Sequence, residues 1–382
     1  MIYLDNAATS FPKAPGVADA MGRALTEAGG NPGRSGHPLA VAAQGVVSET
    51  RRRLAALLGA PDPARVAFSA SSTEALNQAL FGLLRPGDRV VTTSLEHNAV
   101  VRPLAALAGR GVTVDRVACA ADGTLDLDDL RRALQAGPTR LVAMVHASNV
   151  AGTILPAREA ARLAHDHGAL FLLDAAQTAG VLPIDVRELG VDLLAVPGHK
   201  GLLGPPGTGA LYVAAGVTLT PLRFGGTGIR SEDERMPQEL PEGLEAGTLN
   251  TTGLAGLGAA LRFLAERGVA AVRAHELALT ARLLAGLREV PGLRVHGAAD
   301  PARQVATVSV SLPGWEPVDL AAVLDSSFGI AVRAGLHCAP AAHRTLGTMP
   351  GGTVRLSAGC FTTADEIDQA VAALGRLAAA PA

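Results

Sequence analysis

Short apolar runs rich in β-branched residues alternate with Ala- and Leu-rich helical stretches along the first 215 residues: RVAFSA (65–70), DRVVTTS (88–94), VTVDRVA (112–118), RLVAMVHAS (140–148), ALFLLDAA (169–176), DLLAVPG (192–198) and GALYVAA (209–215). Runs of this length, most of them apolar on both faces, predict the strands of a mostly parallel sheet covered by helices on each side, an α/β domain. Past about residue 250 the pattern changes. GLAGLGAALRFLAERG (253–268) and VRAHELALTARLLAGLREV (272–290) predict long helices. A strand in VATVSVSL (305–312), a helix at PVDLAAVLDSS (317–327), a strand in TVRLSAG (353–359) and a last helix in TADEIDQAVAALGRL (363–377) follow, the order of a smaller α+β domain. The expected division is 14–255 for the large domain and 256–382 for the small one, with residues 1–13 joining them. The terminal AAAPA (378–382) is expected to be a short unstructured tail.

Composition narrows the classes. With 382 residues, 48% apolar and 18% charged, the chain can bury one large core or two moderate ones. A net charge of −2 and scattered arginines provide no field for nucleic acid. MIYLDNAATS lacks a charged leader before a long apolar run, and every apolar segment is broken by Gly, Pro or charge short of a membrane span, so a cytoplasmic protein with no membrane contact is expected. Cys119, Cys338 and Cys360 are too few and too far apart for a disulfide framework or a metal knuckle, so no metal is expected and any important cysteine acts alone.

Of the 33 basic residues only Lys13 and Lys200 are lysine. The two cations interchange on a surface, but only lysine can give up its proton at accessible cost and act as an amine nucleophile. Lys13, in the Pro-flanked FPKAPG, reads as an exposed survivor of a composition that disfavours lysine. Lys200 follows the apolar DLLAVP in a glycine-bracketed turn, where a buried charge is costly unless partnered; the count alone leaves chance survival equally open. GPPGTG (204–209) begins like a phosphate-binding P-loop, but Ala210 and Leu211 stand where Lys and then Ser or Thr would follow, and Lys200 precedes the glycines. A turn between two strands accounts for it better.

A lysine that carries pyridoxal 5'-phosphate as a Schiff base needs a carboxylate beside the ring nitrogen, a phosphate cradle and a group stacked on the ring. Asp174 closes the run ALFLLDAAQ at the carboxyl end, where ligands bind in such sheets; a helix cap is the equal alternative. Gln177 could reach the ring hydroxyl. SASSTEALNQALFGLL reads as a hydroxyl-rich helix start, with Ser71 and Glu74 spaced as a capping box. Such a start points amides and a positive dipole end at an anion, which makes Ser72 and Thr73 candidate phosphate ligands, although capping without a ligand is the more frequent use. His97 in TSLEHNAVV follows another strand end, where its ring could stack on a cofactor or simply belong to surface or core. Joint placement at successive strand ends, rather than any single residue, points to a cofactor.

The stretches YLDNAATS, NPGRSGH, SSTEALN, LEHNAVV, HASNVAGTILP, LLDAAQTAG, GHKGLLGPPGTGALY, LEAGTLNTTGLAGLGAAL, RAGLHCAP and VRLSAG span almost the whole chain. In that order they resemble the aminotransferase class V family of fold-type I pyridoxal phosphate enzymes, and within it the cysteine desulfurase and selenocysteine lyase group. The resemblance implies an aspartate aminotransferase-like α/β fold, with a mostly parallel seven-stranded sheet in the large domain and a smaller α+β C-terminal domain. It implies a homodimer that converts L-cysteine to L-alanine, passing the sulfur to Cys338 as a persulfide and then to an acceptor protein such as an iron–sulfur assembly scaffold. Selenocysteine lyase acting on L-selenocysteine, or another class V aminotransferase-type activity, is the alternative.

By matching position, the resemblance makes Lys200 the Schiff-base lysine, Asp174 the ring-nitrogen partner, Gln177 the ring-hydroxyl partner and His97 the stacking histidine. Ser72, Thr73 and His199 become phosphate ligands, with Thr248 reaching the phosphate of the neighbouring subunit. Asn149, Arg355 and Arg333 become substrate-binding residues, a guanidinium being suited to a carboxylate. Cys338, in RAGLHCAPAAHRTLG, matches the nucleophile: a lone accessible thiol on a mobile loop, compact as in group II desulfurases, with Arg333, His337 and His343 placed to favour its thiolate or shuttle protons. Cys119 and Cys360 read as inert small apolar residues. Three departures bear on substrate preference and acceptor: Pro197 stands where many desulfurases carry a phosphate-binding serine, Asn98 where group II members often have a second histidine, and residues 222–243 differ from the usual hairpin at the neighbouring subunit's site.

Overall fold

A computed structural model describes residues 1–33 and 35–379. Arg34 of NPGRSGH and residues 380–382 of the terminal AAAPA lie outside the described residues, whereas Ala378 and Ala379 belong to the last helix.

A short strand β1 (Ile2–Tyr3) and the helices α1 (Val17–Glu27) and α2 (Pro38–Leu57) precede the main sheet. All seven predicted runs then form strands: β2 (Val66–Ser69), β3 (Arg89–Thr93), β4 (Thr113–Val117), β5 (Leu141–Val145), β6 (Leu170–Asp174), β7 (Leu193–Pro197) and β8 (Gly209–Val213). Helices α3 (Ser72–Leu83), α4 (Asn98–Ala108), α5 (Leu127–Gln135) and α6 (Ala157–Asp166) lie between them, and α7 (Thr251–Arg267) follows. The sheet order is β2-β8-β7-β6-β5-β3-β4, and only β8 runs against its neighbours. GPPGTG therefore does lie between two antiparallel strands, in the loop 198–208 that also carries Lys200.

Successive residues of the central strands serve opposite cores, as the two-residue period of a strand requires. Leu141, Ala143, Leu172, Leu193 and Ala195 pack with Leu76, Leu80 and Leu104 of α3 and α4. Val142, Met144, Phe171, Leu173, Leu194 and Val196 pack with Leu54 of α2, Leu134 of α5 and Leu257, Leu261 and Leu264 of α7. Burial on both faces is the reason these runs carry no polar alternation.

The remaining chain forms α8 (Val269–Arg288), β9 (Arg294–His296), β10 (Thr307–Ser311), α9 (Pro317–Phe328), β11 (Ile330–Ala331), β12 (Arg333–Gly335), α10 (Pro340–Thr345), β13 (Thr353–Ser357) and α11 (Ala364–Ala379). Its antiparallel sheet, ordered β12-β13-β10-β9, packs with α8, α9 and α11 into a separate core that includes Leu283, Val308, Leu324, Leu356 and Leu374. The pairing of β1 with β11 ties the N-terminus to this smaller unit. With only two or three residues each, β1, β9, β11 and β12 are too short to show a period.

Candidate active site

The strands β2, β3, β5, β6 and β7 end on the same edge of the sheet, and the segments that follow them enclose one cleft. Ser72, Thr73, His97, Asn149, Asp174, Gln177, His199 and Lys200 all line it, together with Pro197. This is the edge of an open α/β sheet at which ligands bind. Thr248 does not line it; the residue is exposed ahead of α7, where its hydroxyl accepts from Asn31 Nδ2 at 3.5 Å.

At the floor, Asp174 is buried, and its Oδ1 accepts the Ala176 amide at 2.9 Å. Burial raises its pKa, opposed by that amide and by Lys200. Lys200 stands on the turn after β7; burial lowers its pKa to about 8, and Asp174 checks the fall. The turn is closed by Leu203 N–H to Lys200 O and Gly204 N–H to Gly198 O, each at 2.8 Å. It also touches another backbone segment directly. A Cβ on Gly180, whose φ is +82°, would sit 2.2 Å from Gly201 O, and one on Gly201 would sit 2.5 Å from Ala179 O, so both positions require glycine.

His97 caps α4: its Nδ1 accepts the Ala99 amide at 3.0 Å, which leaves the ring proton on Nε2. Burial first, then Lys200 and three arginines, lowers its pKa to about 4, so the ring is neutral near pH 7. At the start of α3, Ser71 Oγ accepts the Glu74 amide at 3.2 Å, while Glu74 Oε2 takes the Ala70 amide at 2.6 Å. The reciprocal contact thus falls one residue earlier than a capping box places it. Ser72 Oγ is buried with no hydrogen-bond partner, beside helix amides that no intrahelical acceptor can reach.

Across the cleft, the smaller unit contributes Arg355 from β13. Its Nη2 donates to Asp5 Oδ1 at 2.7 Å and its Nη1 to the Asn149 carbonyl at 2.9 Å, while Nε has no partner. Asn149 Nδ2 donates to the His337 carbonyl at 2.7 Å and leaves Oδ1 unpartnered. Arg355→Ala is expected to lower unfolding free energy by about 3 kcal/mol in chemical denaturation, because part-buried Asp5 loses its ion-pair partner and the buried Asn149 carbonyl loses a charged donor.

Cys338 is exposed, but it is not on a freely moving arm. His337 and Cys338 take left-handed φ values of +48° and +57° in succession, a conformation that costs about 1–3 kcal/mol per residue and persists only where surroundings enforce it. Here they do: the His337 carbonyl is held by Asn149, and the Cys338 carbonyl accepts the Asn98 amide at 2.8 Å. His337 Nε2 faces the Arg333 carbonyl at 3.2 Å and its Nδ1 faces His343 Nε2 at 3.3 Å, while His343 Nδ1 faces Thr348 Oγ1 at 2.7 Å. One assignment satisfies every pair: Thr348 donates to His343, His343 to His337 and His337 to the carbonyl, with both rings neutral. Burial agrees, lowering His337 to about 3 and His343 to about 4. The charge next to the thiol is therefore that of Arg333, whose Nη2 lies 4.0 Å from Cys338 Sγ, and not that of the histidines. Burial pushes both Cys119 and Cys360 up to about 11, as inert thiols require.

The structure adds Asp5 and Glu96, which sequence reasoning did not single out, and gives Asn98, singled out only as a departure from the group II pattern, a contact of its own. Asp5 pairs with Arg355, Asn98 fixes the cysteine turn, and Glu96 lies fully buried with Oε1 accepting from the Thr93 hydroxyl at 2.5 Å and the Val145 amide at 3.1 Å. Burial raises Glu96 to about 8. Lys13 is corrected: it is part-buried and hydrogen-bonded, not a free surface cation. All four lie in or beside the quoted stretches YLDNAATS and LEHNAVV, yet each has a partner distant in sequence: Arg355 for Asp5, Cys338 for Asn98, Val145 for Glu96 and His199 for Lys13.

The sequence profile of the family described as aminotransferase class-V matches residues 2–370. The chain belongs to this family. Among similar class V proteins, a probable cysteine desulfurase of Methanothermobacter thermautotrophicus is 37% identical over 372 residues, covering 96% of this chain and 92% of the relative. One from Halalkalibacterium halodurans is 35% identical over 377 residues, covering 96% and 91%. Among solved structures, the apo cysteine desulfurase of Thermococcus onnurineus NA1 superposes with a TM-score of 0.93 at 33% identity over 99% of this chain and 94% of that one. A cysteine desulfurase of Escherichia coli gives 0.87 at 30% identity over 98% and 94%. The class V chain thus has the fold-type I architecture that its motifs imply. Among its described residues no group of three His, Cys, Asp or Glu side chains could hold a metal ion, and no helix is long and apolar enough to cross a membrane.

Proposed function

We propose that the protein is a pyridoxal phosphate-dependent cysteine desulfurase that converts L-cysteine to L-alanine and takes the sulfur onto Cys338. The observation that carries this reading is that Lys200, lowered to about 8, and buried Asp174 line one cleft and feel each other's charge. The residues suit the cofactor: Asp174 is a buried carboxylate in want of a further cation, and Ser72 Oγ is a buried hydroxyl without a partner at the amide end of α3. Asp174 would hold the ring nitrogen, Gln177 the ring hydroxyl, His97 the ring face, and Ser72, Thr73 and His199 the phosphate. When bound, the cofactor supplies an electron-withdrawing ring conjugated to the substrate's α-carbon.

Lys200 would anchor the cofactor, and its amine would take the substrate's α-proton, a role that an amine titrating near 8 can fill at neutral pH. Arg355 Nε and Asn149 Oδ1, both lacking partners, receive the polar groups of the amino acid, with Arg333 beside them. Cys338 thiolate attacks the substrate sulfur; an S–S bond forms as the C–S bond breaks, the carbon keeps the bonding pair and takes a proton, and alanine leaves. Arg333 Nη2 stands 4.0 Å from Sγ, beside the attacking sulfur.

Two domains, 14–255 and 256–382 bridged by residues 1–13, belong to the same proposal; the separate cores support it, with α7 extending the large one past residue 255. So do a cytoplasmic homodimer, in which Thr248 serves the neighbouring cleft, and an acceptor protein for the sulfur. Support for the dimer comes from Phe224 and Ile229, which stand 73% and 37% exposed in the segment 222–243. The test is direct. Cofactor-loaded protein given L-cysteine and a reductant is expected to release alanine, Cys119→Ala to match it, and Cys338→Ala to lose at least about a hundredfold. Full activity in Cys338→Ala refutes the persulfide step, and release from L-selenocysteine alone moves the reading to a selenocysteine lyase.

A further inference from the structure

The chain keeps two lysines, and the fold brings both to one turn. We propose that Lys13 is a positioning residue, whose ammonium locks the His199–Lys200 peptide and so sets where Lys200 stands in the cleft. Lys13 Nζ donates to Thr9 Oγ1 at 3.1 Å, to Ser10 Oγ at 3.1 Å and to the His199 carbonyl at 2.9 Å. An ammonium has three N–H donors, and each finds one acceptor. The same carbonyl accepts the Ser10 amide at 2.9 Å, and Thr9 Oγ1 lies 3.1 Å from both His199 O and His199 Nδ1. One nitrogen therefore gathers the segment 9–13, the His199 ring and the peptide that leads into Lys200.

The geometry also answers why arginine did not replace lysine here, as it did at 31 other basic positions. Three acceptors converge on a single point. A planar guanidinium spreads its donors over three nitrogens in one plane and cannot meet them together, whereas a compact tetrahedral head can. One lysine is retained for the chemistry of its amine and the other for the shape of its ammonium. Lys13 is part-buried, and burial lowers its pKa to about 8, so its contacts offset a real desolvation cost.

The inference rests on the proposed function for what the turn serves, but its first test does not. Hydrogen exchange in the cofactor-free chain follows the amides of Ser10, Leu203 and Gly204, which close the turn. Lys13→Arg and Lys13→Met are expected to speed their exchange alike, by about tenfold, since charged hydrogen bonds are lost in both. Ser10→Ala, which keeps the charge and removes one acceptor of the ammonium together with the Ser10 hydroxyl's own contact to the His199 carbonyl, is expected to give about threefold, less than the loss of the ammonium, and decides the matter should Lys13→Met fail to fold. The second test titrates each chain with pyridoxal phosphate. Both Lys13 variants are expected to bind about tenfold more weakly and to shift the pH midpoint of the bound cofactor's absorption band, which a merely structural residue would leave in place. Wild-type behaviour of Lys13→Arg in exchange overturns the proposal, because charge rather than shape would then suffice, and so does an unmoved midpoint. A wild-type chain that binds no cofactor defeats the functional reading instead, while the exchange result still judges Lys13.

Discussion

Lys200→Arg is expected to release alanine from L-cysteine at least about a thousandfold more slowly and to retain no cofactor that borohydride can fix to the chain. The substitution keeps the positive charge beside Asp174, so a role in simple charge balance would survive it. Arginine stays protonated in proteins and cannot form the reversible bond of a primary amine. The amine at 200 is already prepared for that work: burial brings it to about 8, against 10.5 in water, so a useful fraction is neutral near pH 7. Peptide mapping after borohydride reads the result without ambiguity, because Lys13 is the only other lysine side chain. An adduct that persists in Lys200→Arg, or activity within tenfold of the parent, would sink the assignment.

A second large effect concerns acid. Five histidines, His97, His146, His199, His337 and His343, are held neutral by burial, with pKa values of about 4, or about 3 for His337. In the unfolded chain they titrate near 6.5. Each contributes stability that is fully present above 6.5 and is lost as pH falls through its folded value; for buried His146 the term is about 3 kcal/mol. Glu96 and Glu276 act in the opposite sense, since burial raises both to about 8 and they hold protons that the unfolded chain has released above about 4.5. Asp174, also raised, joins them. The five histidines outnumber the raised carboxyls, so between pH 6.5 and 4.5 the unfolded chain binds the more protons and stability falls as pH falls. Each net proton is worth about 1.4 kcal/mol per pH unit, so a fall of a few kcal/mol over this window is a large share of the stability of many domains. Urea midpoints measured from pH 7 to 4.5 should drop steeply, and His146→Gln should reduce the slope by about one proton. A flat profile would contradict the neutral, buried histidines.

The parallel strands were readable because burial on both faces leaves a local mark: Leu141–Val145 and Leu193–Pro197 are apolar without interruption. Asp174, His97 and Lys200 could be found for a related reason, each standing where such a run stops. What stayed hidden depends on partners far along the chain. Asp5 matters because of Arg355, Asn98 because of Cys338, and Lys13 because of His199, and no window of neighbouring residues contains either end of these pairs together. Lys13 was misread for that reason: flanking prolines look like surface, but the loop folds inward onto the turn after β7. The compactness of the cysteine segment was visible in its shortness, whereas the hydrogen bonds that fasten it were not.

That fastening bears on the proposed transfer of sulfur from Cys338. A thiol whose adjoining carbonyls are tied to two separate helix-bearing segments cannot swing outward to meet a distant recipient. On the proposed reading, delivery would then run the other way, with a recipient inserting its own nucleophile at the rim, so that the choice of recipient would be decided by the contour of the opening rather than by the length of a tether.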